Sequence, residues 1–180
     1  MKSIAKPFLM YYIGISGSGK TTIASLVGKK LNASGIDRVQ FIDGDDIRAQ
    51  FGDIFGYTRE ERMKCNRAVR VVCKYLIENG VSVMLAQVGS YREMRDKVRE
   101  VYTDGYIEVY IKCSKDECMQ RDPKGYYAML KNGKIQNLNG SNDDFEIPSD
   151  SDIVIDTEFT SAEYASDEIL RYLQRNGYVI

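Results

Sequence analysis

The sequence contains no histidine. That absence removes imidazole acid–base chemistry and histidine metal sites, so carboxylates and lysines must carry any catalysis. An excess of charge of either sign is also missing, with 25 Lys and Arg against 26 Asp and Glu. A general binder of nucleic acid or membrane surface is therefore not expected, and any positive charge for phosphates must be concentrated locally. Met1 to Pro7 lacks the apolar run of a signal peptide, and no stretch is long enough to span a bilayer. Cys65, Cys73, Cys113 and Cys118 form no C-x-x-C pair. They read as reduced, mostly structural thiols of a cytoplasmic protein. Internal repeats and low-complexity tracts are absent. What remains, 180 residues of which 43% are apolar, suits one domain, 1–180, with a real core.

The chain is organised around Gly14-Ile15-Ser16-Gly17-Ser18-Gly19-Lys20-Thr21, which fits the phosphate-binding pattern G-x-x-x-x-G-K-[ST]. Glycines let the backbone curl so that successive N–H groups point at a phosphate chain. Lys20 reaches the outer phosphates, and the Thr21 hydroxyl is placed to ligate Mg²⁺. Phe8 to Ile13 before the loop reads as a buried strand. After it, Ile23, Leu26, Val27 and Leu31 recur at helical spacing until Gly35. The following helix adds its positive dipole end to the phosphate site. A nucleoside triphosphate is the implied ligand.

Further strands read at Val39–Ile42, Val81–Ala86, Tyr106–Ile111 and Asp152–Asp156. Asp43-Gly44-Asp45-Asp46 follows the second strand, where a parallel sheet faces its ligand crevice. Asp43 or Asp46 suits a helix N-cap, and Asp45 is the candidate for chemistry. Thr58-Arg59-Glu60-Glu61 is a capping box for a helix to about Asn79, with Met63, Val69, Val72 and Leu76 on one side. Arg62 and Arg67 lie near its start; alone, such arginines read as a solvated face. Tyr91–Tyr102 reads as a highly charged helix. Ser114-Lys115-Asp116-Glu117 opens a short helix that Asp122-Pro123 stops, and Thr160-Ser161-Ala162-Glu163 caps a last helix. Between Lys124 and Pro148 the texture turns polar with scattered aromatics, as in a lid. Strands and helices alternating after the phosphate loop imply an α/β, P-loop NTPase-like three-layer domain. Its five-stranded parallel sheet would carry a lid segment at about 121–148. Lids suit small-molecule kinases, which must exclude water while the γ-phosphoryl moves.

Several motifs in order resemble those of adenylylsulfate (APS) kinases. They are the phosphate loop through Thr22, Phe41-Ile42-Asp43-Gly44-Asp45-Asp46-Ile47-Arg48, Gly56-Tyr57-Thr58 with Glu61-Arg62, and Arg121-Asp122-Pro123-Lys124-Gly125 with Tyr127. Phe145-Glu146 and Pro148 complete the set. The resemblance implies an ATP- and Mg²⁺-dependent kinase of a small-molecule nucleotide, acting on the ribose 3′-hydroxyl of adenosine 5′-phosphosulfate. It implies a homodimer, with neither nucleic-acid nor membrane partner. Asp45 would orient the acceptor hydroxyl, while Lys20 and Lys124 neutralise charge on the transferred group. Gly14, Ser16, Gly17, Ser18, Gly19, Lys20, Thr21, Thr22 and Arg121 would serve ATP. Arg48, Arg62, Arg67, Tyr57, Val88 and Leu138 would hold the acceptor, together with Asp45 and Lys124.

Three positions depart from the family pattern: Cys65 stands at its asparagine, Gly89 at its serine, and Leu138 at its second base-clamping aromatic. One residue along a helix is a turn of roughly 100°, so Asn66 is expected to point away from the site. With Gly89 at that position no phosphoserine forms there, and Ser90 is displaced. Because the departures cluster on the acceptor side, a second reading stands: a related kinase of another nucleotide-linked acceptor, such as a cytidine diphosphate derivative in capsule modification. A nucleotide-binding regulator without catalysis is a third reading, against which Lys20, Thr21, Asp45 and Lys124 argue.

Overall fold

A computed structural model describes residues 3–135, 138 and 145–180. Five parallel strands form one sheet: β1 (Leu9–Ile13), β2 (Val39–Asp43), β3 (Ser82–Ala86), β4 (Tyr106–Lys112) and β5 (Ile153–Asp156). Their order is β2-β3-β1-β4-β5. β1 is paired with β3 through Leu9↔Val83 and with β4 through Leu9↔Tyr106. The chain leaves β1 at the point where the strand order reverses, and a crevice opens there at the strands' carboxyl ends.

β1 is fully buried, and its alternate residues serve opposite faces of the sheet. Phe8, Met10 and Tyr12 pack with Ile23, Val27 and Leu31 of α1 (Lys20–Ala33) and with Ile169 and Leu173 of the last helix, Ala162–Arg175. Leu9, Tyr11 and Ile13 pack with Val69, Cys73 and Ile77 of the long helix Arg59–Glu78 and with Val98 of Arg92–Arg99. Helices thus cover both faces, as the alternating pattern predicts.

Numbered in chain order, the other helices are α2 (Gly44–Gln50), α3 (Arg59–Glu78), α4 (Arg92–Arg99), α5 (Lys115–Arg121), α6 (Tyr126–Lys131) and α7 (Ala162–Arg175). The capping box at Thr58 and Glu61 forms as read. The buried stripe of α3 is rotated from the expected one. Val69, Cys73 and Ile77 face the core at four-residue spacing with Cys65 buried one turn before them, whereas Val72 is exposed. Buried thiols act here as small apolar groups, so the cysteines mark the stripe that an aliphatic count misses. All four cysteines are free.

α6 stands where the sequence suggested only a lid loop. The Asp122 carboxylate accepts from the N–H groups of Tyr127 and Ala128, at 3.2 and 3.0 Å, and so caps the first turn. One turn and a half is too short for hydrophobic periodicity to register. Residues 136–137 and 139–144 of the expected lid, including Asn137, Asn139 and Gly140, lie outside the described residues. Beyond them Phe145 stacks on Tyr110 at 5.9 Å. The Glu146 carboxylate accepts from Arg92 N–H at the start of α4. Among the described residues no helix is long and apolar enough to cross a membrane.

Candidate active site

The phosphate loop runs from β1 into α1. Gly14 sits at φ +145°, and a Cβ there would stand 2.4 Å from Ile111 O, so the loop can pass β4 only as glycine. Lys20 is the first residue of α1, and its ammonium donates to Ile15 O at 2.8 Å. Burial lowers the Lys20 pKa to about 8, against the opposing pull of the Asp45 charge. Thr21 Oγ1 donates to Asp43 Oδ2 at 2.8 Å. Asp43 also caps α2 by accepting from Asp45 N–H at 2.9 Å. A hydroxyl and a carboxylate therefore meet beside the loop. This pair fits Mg²⁺, which takes one or two protein oxygens and fills its octahedron with phosphate and water.

Across the crevice, Lys124 Nζ donates to Asp45 Oδ2 at 2.6 Å. Burial opposes the Lys124 charge, but the Asp45 hydrogen bond and charge outweigh it and hold the ammonium above its ordinary pKa. Lys124 begins the segment containing α6, and that segment is tied to the phosphate loop by Tyr127, whose hydroxyl donates to Ser16 O at 3.0 Å.

The third wall comes from α3 and the loop after β3. Tyr57 is half exposed, and its ring lies between two guanidiniums, Arg48 at 4.8 Å and Arg62 at 5.4 Å. Arg48 donates to Phe55 O and Gly56 O, and Arg62 to Tyr57 O. Both cations thus lie within cation–π distance of one aromatic ring. Gly89 has φ +64°, and a Cβ there would approach Ile13 Cγ2 to 2.6 Å. A serine in that place would be strained, which explains the glycine. The three walls enclose one cavity of about 420 Å³ that runs from Ser16 to Leu138. That volume suits a nucleotide-sized ligand.

A family model, adenylylsulphate kinase, matches residues 6–156. The chain belongs to the adenylylsulphate kinase family. It is 38% identical to the adenylyl-sulfate kinase of Staphylococcus carnosus over 170 residues, covering 94% of this chain and 85% of that one. Identity to the probable adenylyl-sulfate kinase of Bacillus subtilis is 34% over 175 residues, covering 97% and 87%. The solved APS kinase CysC of Mycobacterium tuberculosis, in complex with AMPPNP and APS, superposes with a TM-score of 0.87 at 27% identity. Coverage there is 94% of this chain and 98% of that one. The chain is accordingly an ATP-binding phosphotransferase of the adenylylsulphate kinase type, with a P-loop kinase fold.

Within that family frame, the cavity is lined by Ser16, Gly17, Gly19, Lys20, Thr21 and Thr22 on the phosphate side. Asp45, Arg48, Tyr57, Arg62, Val88, Lys124 and Leu138 are among the residues that line the rest of it. Four expected residues lie off the wall. Gly14 and Ser18 form the back of the loop; the Ser18 hydroxyl lies 2.9 Å from where a Gly14 Cβ would be. Arg121 donates to Glu117 and to Thr157, whose hydroxyl in turn donates to Ser18 O, so it braces the loop from behind. Arg67 is exposed on α3 outside the cavity lining. Asn66 corrects the expectation that it points away, because it lines the cavity together with Cys65. α3 lies lengthwise against a broad wall, so two residues 100° apart both border it. Ser90 and Gln87 also line the cavity, and no motif had singled out Gln87. Its position at the carboxyl end of β3, beside the phosphate loop, is the signal that marks it.

Proposed function

We propose that the protein transfers the γ-phosphoryl group of ATP to the ribose 3′-hydroxyl of adenosine 5′-phosphosulfate, giving 3′-phosphoadenosine 5′-phosphosulfate and ADP. The observation that carries this reading is the Lys124–Asp45 pair, which shares one cavity with Lys20 in a chain of this family. Asp45 accepts a hydrogen bond from the acceptor hydroxyl and takes its proton as the new O–P bond forms. The bond to ADP breaks with its electrons going to ADP. The transition state is loose, so positioning matters more than base strength. Lys20 leaves Ile15 O for the outer phosphates, and Lys124 steadies the transferred group. Thr21 and Asp43 would hold Mg²⁺, which supplies charge neutralisation between the phosphates. Arg48 and Arg62 hold the acceptor's anionic end, and Tyr57 stacks on its base. Segment 121–148 acts as the lid of a single domain, in a cytoplasmic homodimer.

One feature favours a second acceptor. Leu138, on the acceptor side, presents no π face, and Cys65 and Gly89 offer no strong polar group. A smaller pyrimidine base suits that wall, as in a cytidine diphosphate derivative. ADP release is measured with ATP–Mg²⁺ and each acceptor. Higher kcat/KM with adenosine 5′-phosphosulfate supports the first reading, and preference for the cytidine compound replaces it with the second.

A further inference from the structure

Two tyrosines stand side by side at the start of α6, in different surroundings. Tyr127 is buried, and its hydroxyl donates to Ser16 O at 3.0 Å. Tyr126 is partly exposed and lines the cavity, which Tyr127 does not. Successive side chains on a helix diverge by about 100°, so the turn that aims Tyr127 at the phosphate loop turns Tyr126 elsewhere. The Asp122 carboxylate fixes that turn by accepting from the N–H groups of Tyr127 and Ala128. Burial raises the Tyr126 pKa above the ordinary phenol value; the Asp45 charge adds to the rise and Lys124 opposes it, with Tyr57 and Asp43 also acting on the phenol. All four of those residues line the cavity. The Tyr126 hydroxyl therefore lies on the cavity side of α6, protonated at neutral pH and able to donate. Among the described residues it makes no hydrogen bond.

We infer that Tyr126 is a specificity-determining residue, whose hydroxyl donates a hydrogen bond to the ribose 2′-oxygen of the acceptor nucleotide. The inference rests on the proposed transfer to a ribose 3′-hydroxyl. In that reading Asp45 holds the reacting hydroxyl and Tyr57 holds the base, so the sugar spans the gap between them. The Tyr126 phenol feels both of those groups and so stands beside the same gap. On a ribose, the hydroxyl next to the reacting one is the 2′-hydroxyl, whose oxygen accepts from a phenol. Lys124, two residues earlier, is already committed to Asp45 at 2.6 Å, which leaves the neighbouring oxygen to a neutral donor. Tyr126 thus extends the site to a residue that no motif had singled out.

The test is a cycle of two proteins and two acceptors: wild type and Tyr126→Phe, each with adenosine 5′-phosphosulfate and its 2′-deoxy analogue. Phenylalanine keeps the ring and its packing and removes only the hydroxyl. On Tyr126→Phe the parent acceptor loses about 3–10-fold in kcat/KM, the range of one net hydrogen bond. The penalty for removing the 2′-hydroxyl is smaller on Tyr126→Phe than on wild type by the same factor, because the partner is already gone. KM for ATP stays within about twofold. Thermal unfolding of the variant serves as the control for folding. An equal 2′-deoxy penalty in both proteins, an unaffected parent acceptor, or a matching rise in the KM for ATP overturns the Tyr126 assignment alone. Wild type that does not turn over adenosine 5′-phosphosulfate overturns the proposed activity and this inference with it.

Discussion

Replacing Asp45 by asparagine separates chemistry from folding. The change keeps the shape, the backbone N–H that Asp43 accepts, and the capping of α2. It removes the proton-accepting charge held by Lys124 at 2.6 Å. General-base and orienting groups contribute about 10²–10⁴ in rate, so kcat should fall by that factor. The stability cost is small, because the two side chains are 50% and 39% exposed and such a pair contributes about 0–1 kcal/mol. Losing a negative charge in the first turn of α2 adds about 0.3–1 kcal/mol. A loss below about 2 kcal/mol lowers Tm by at most roughly 4–8 °C at this chain length. The Asp45 charge also supports the Lys20 proton, so its removal lowers the Lys20 pKa further below about 8. The assay therefore runs at pH 6, well below that value, where the ammonium stays charged and KM for ATP changes by less than about threefold. Initial rates of ADP release with a fixed saturating acceptor measure both constants. A kcat within tenfold of wild type, or a kcat loss matched by a rise in KM for ATP, would refute the assigned role.

Lys20 gives a pH signature. Polyphosphate binding raises the Lys20 pKa from about 8, so above that pH binding takes up a proton and affinity falls as pH rises. Titration calorimetry between pH 7.5 and pH 9.5 should show ATP affinity dropping toward about tenfold per unit at the alkaline end; affinity that is flat or rising contradicts it. Arg95 tests the support of the acceptor wall. It is buried, donates to Gly89 O at 2.8 Å and faces buried Glu108 at 4.0 Å. Arg95→Met leaves that carboxylate without its cation and should cost about 3–5 kcal/mol in urea unfolding. A loss below 1 kcal/mol would show that Tyr106 and Ser151, which both donate to Glu108, suffice.

The phosphate loop, the capping box at Thr58 and the five strands were legible because each is encoded within a few contiguous residues. Arg95 was not. In sequence it belongs to a highly charged helix, and only the sheet brings Glu108 of β4 beneath it. α6 was hidden because its cap is the Asp122 carboxylate acting over five residues, without a periodic apolar face. Asn66 was misread because helical angle alone says where a side chain points. It does not say how wide the wall is that the helix lies against. Arg121 and Ser18 were expected at the ATP phosphates, but the Arg121 side chain braces the loop from behind through Thr157, which donates to the backbone carbonyl of Ser18.

The most direct test is the chemical position of the transferred group. Phosphorus NMR of the nucleotide recovered after incubation with ATP–Mg²⁺ and acceptor should show one new phosphomonoester on the ribose 3′-oxygen, equal in amount to the ADP formed. ADP accompanied only by inorganic phosphate, or a phosphate attached elsewhere on the acceptor, would contradict the account.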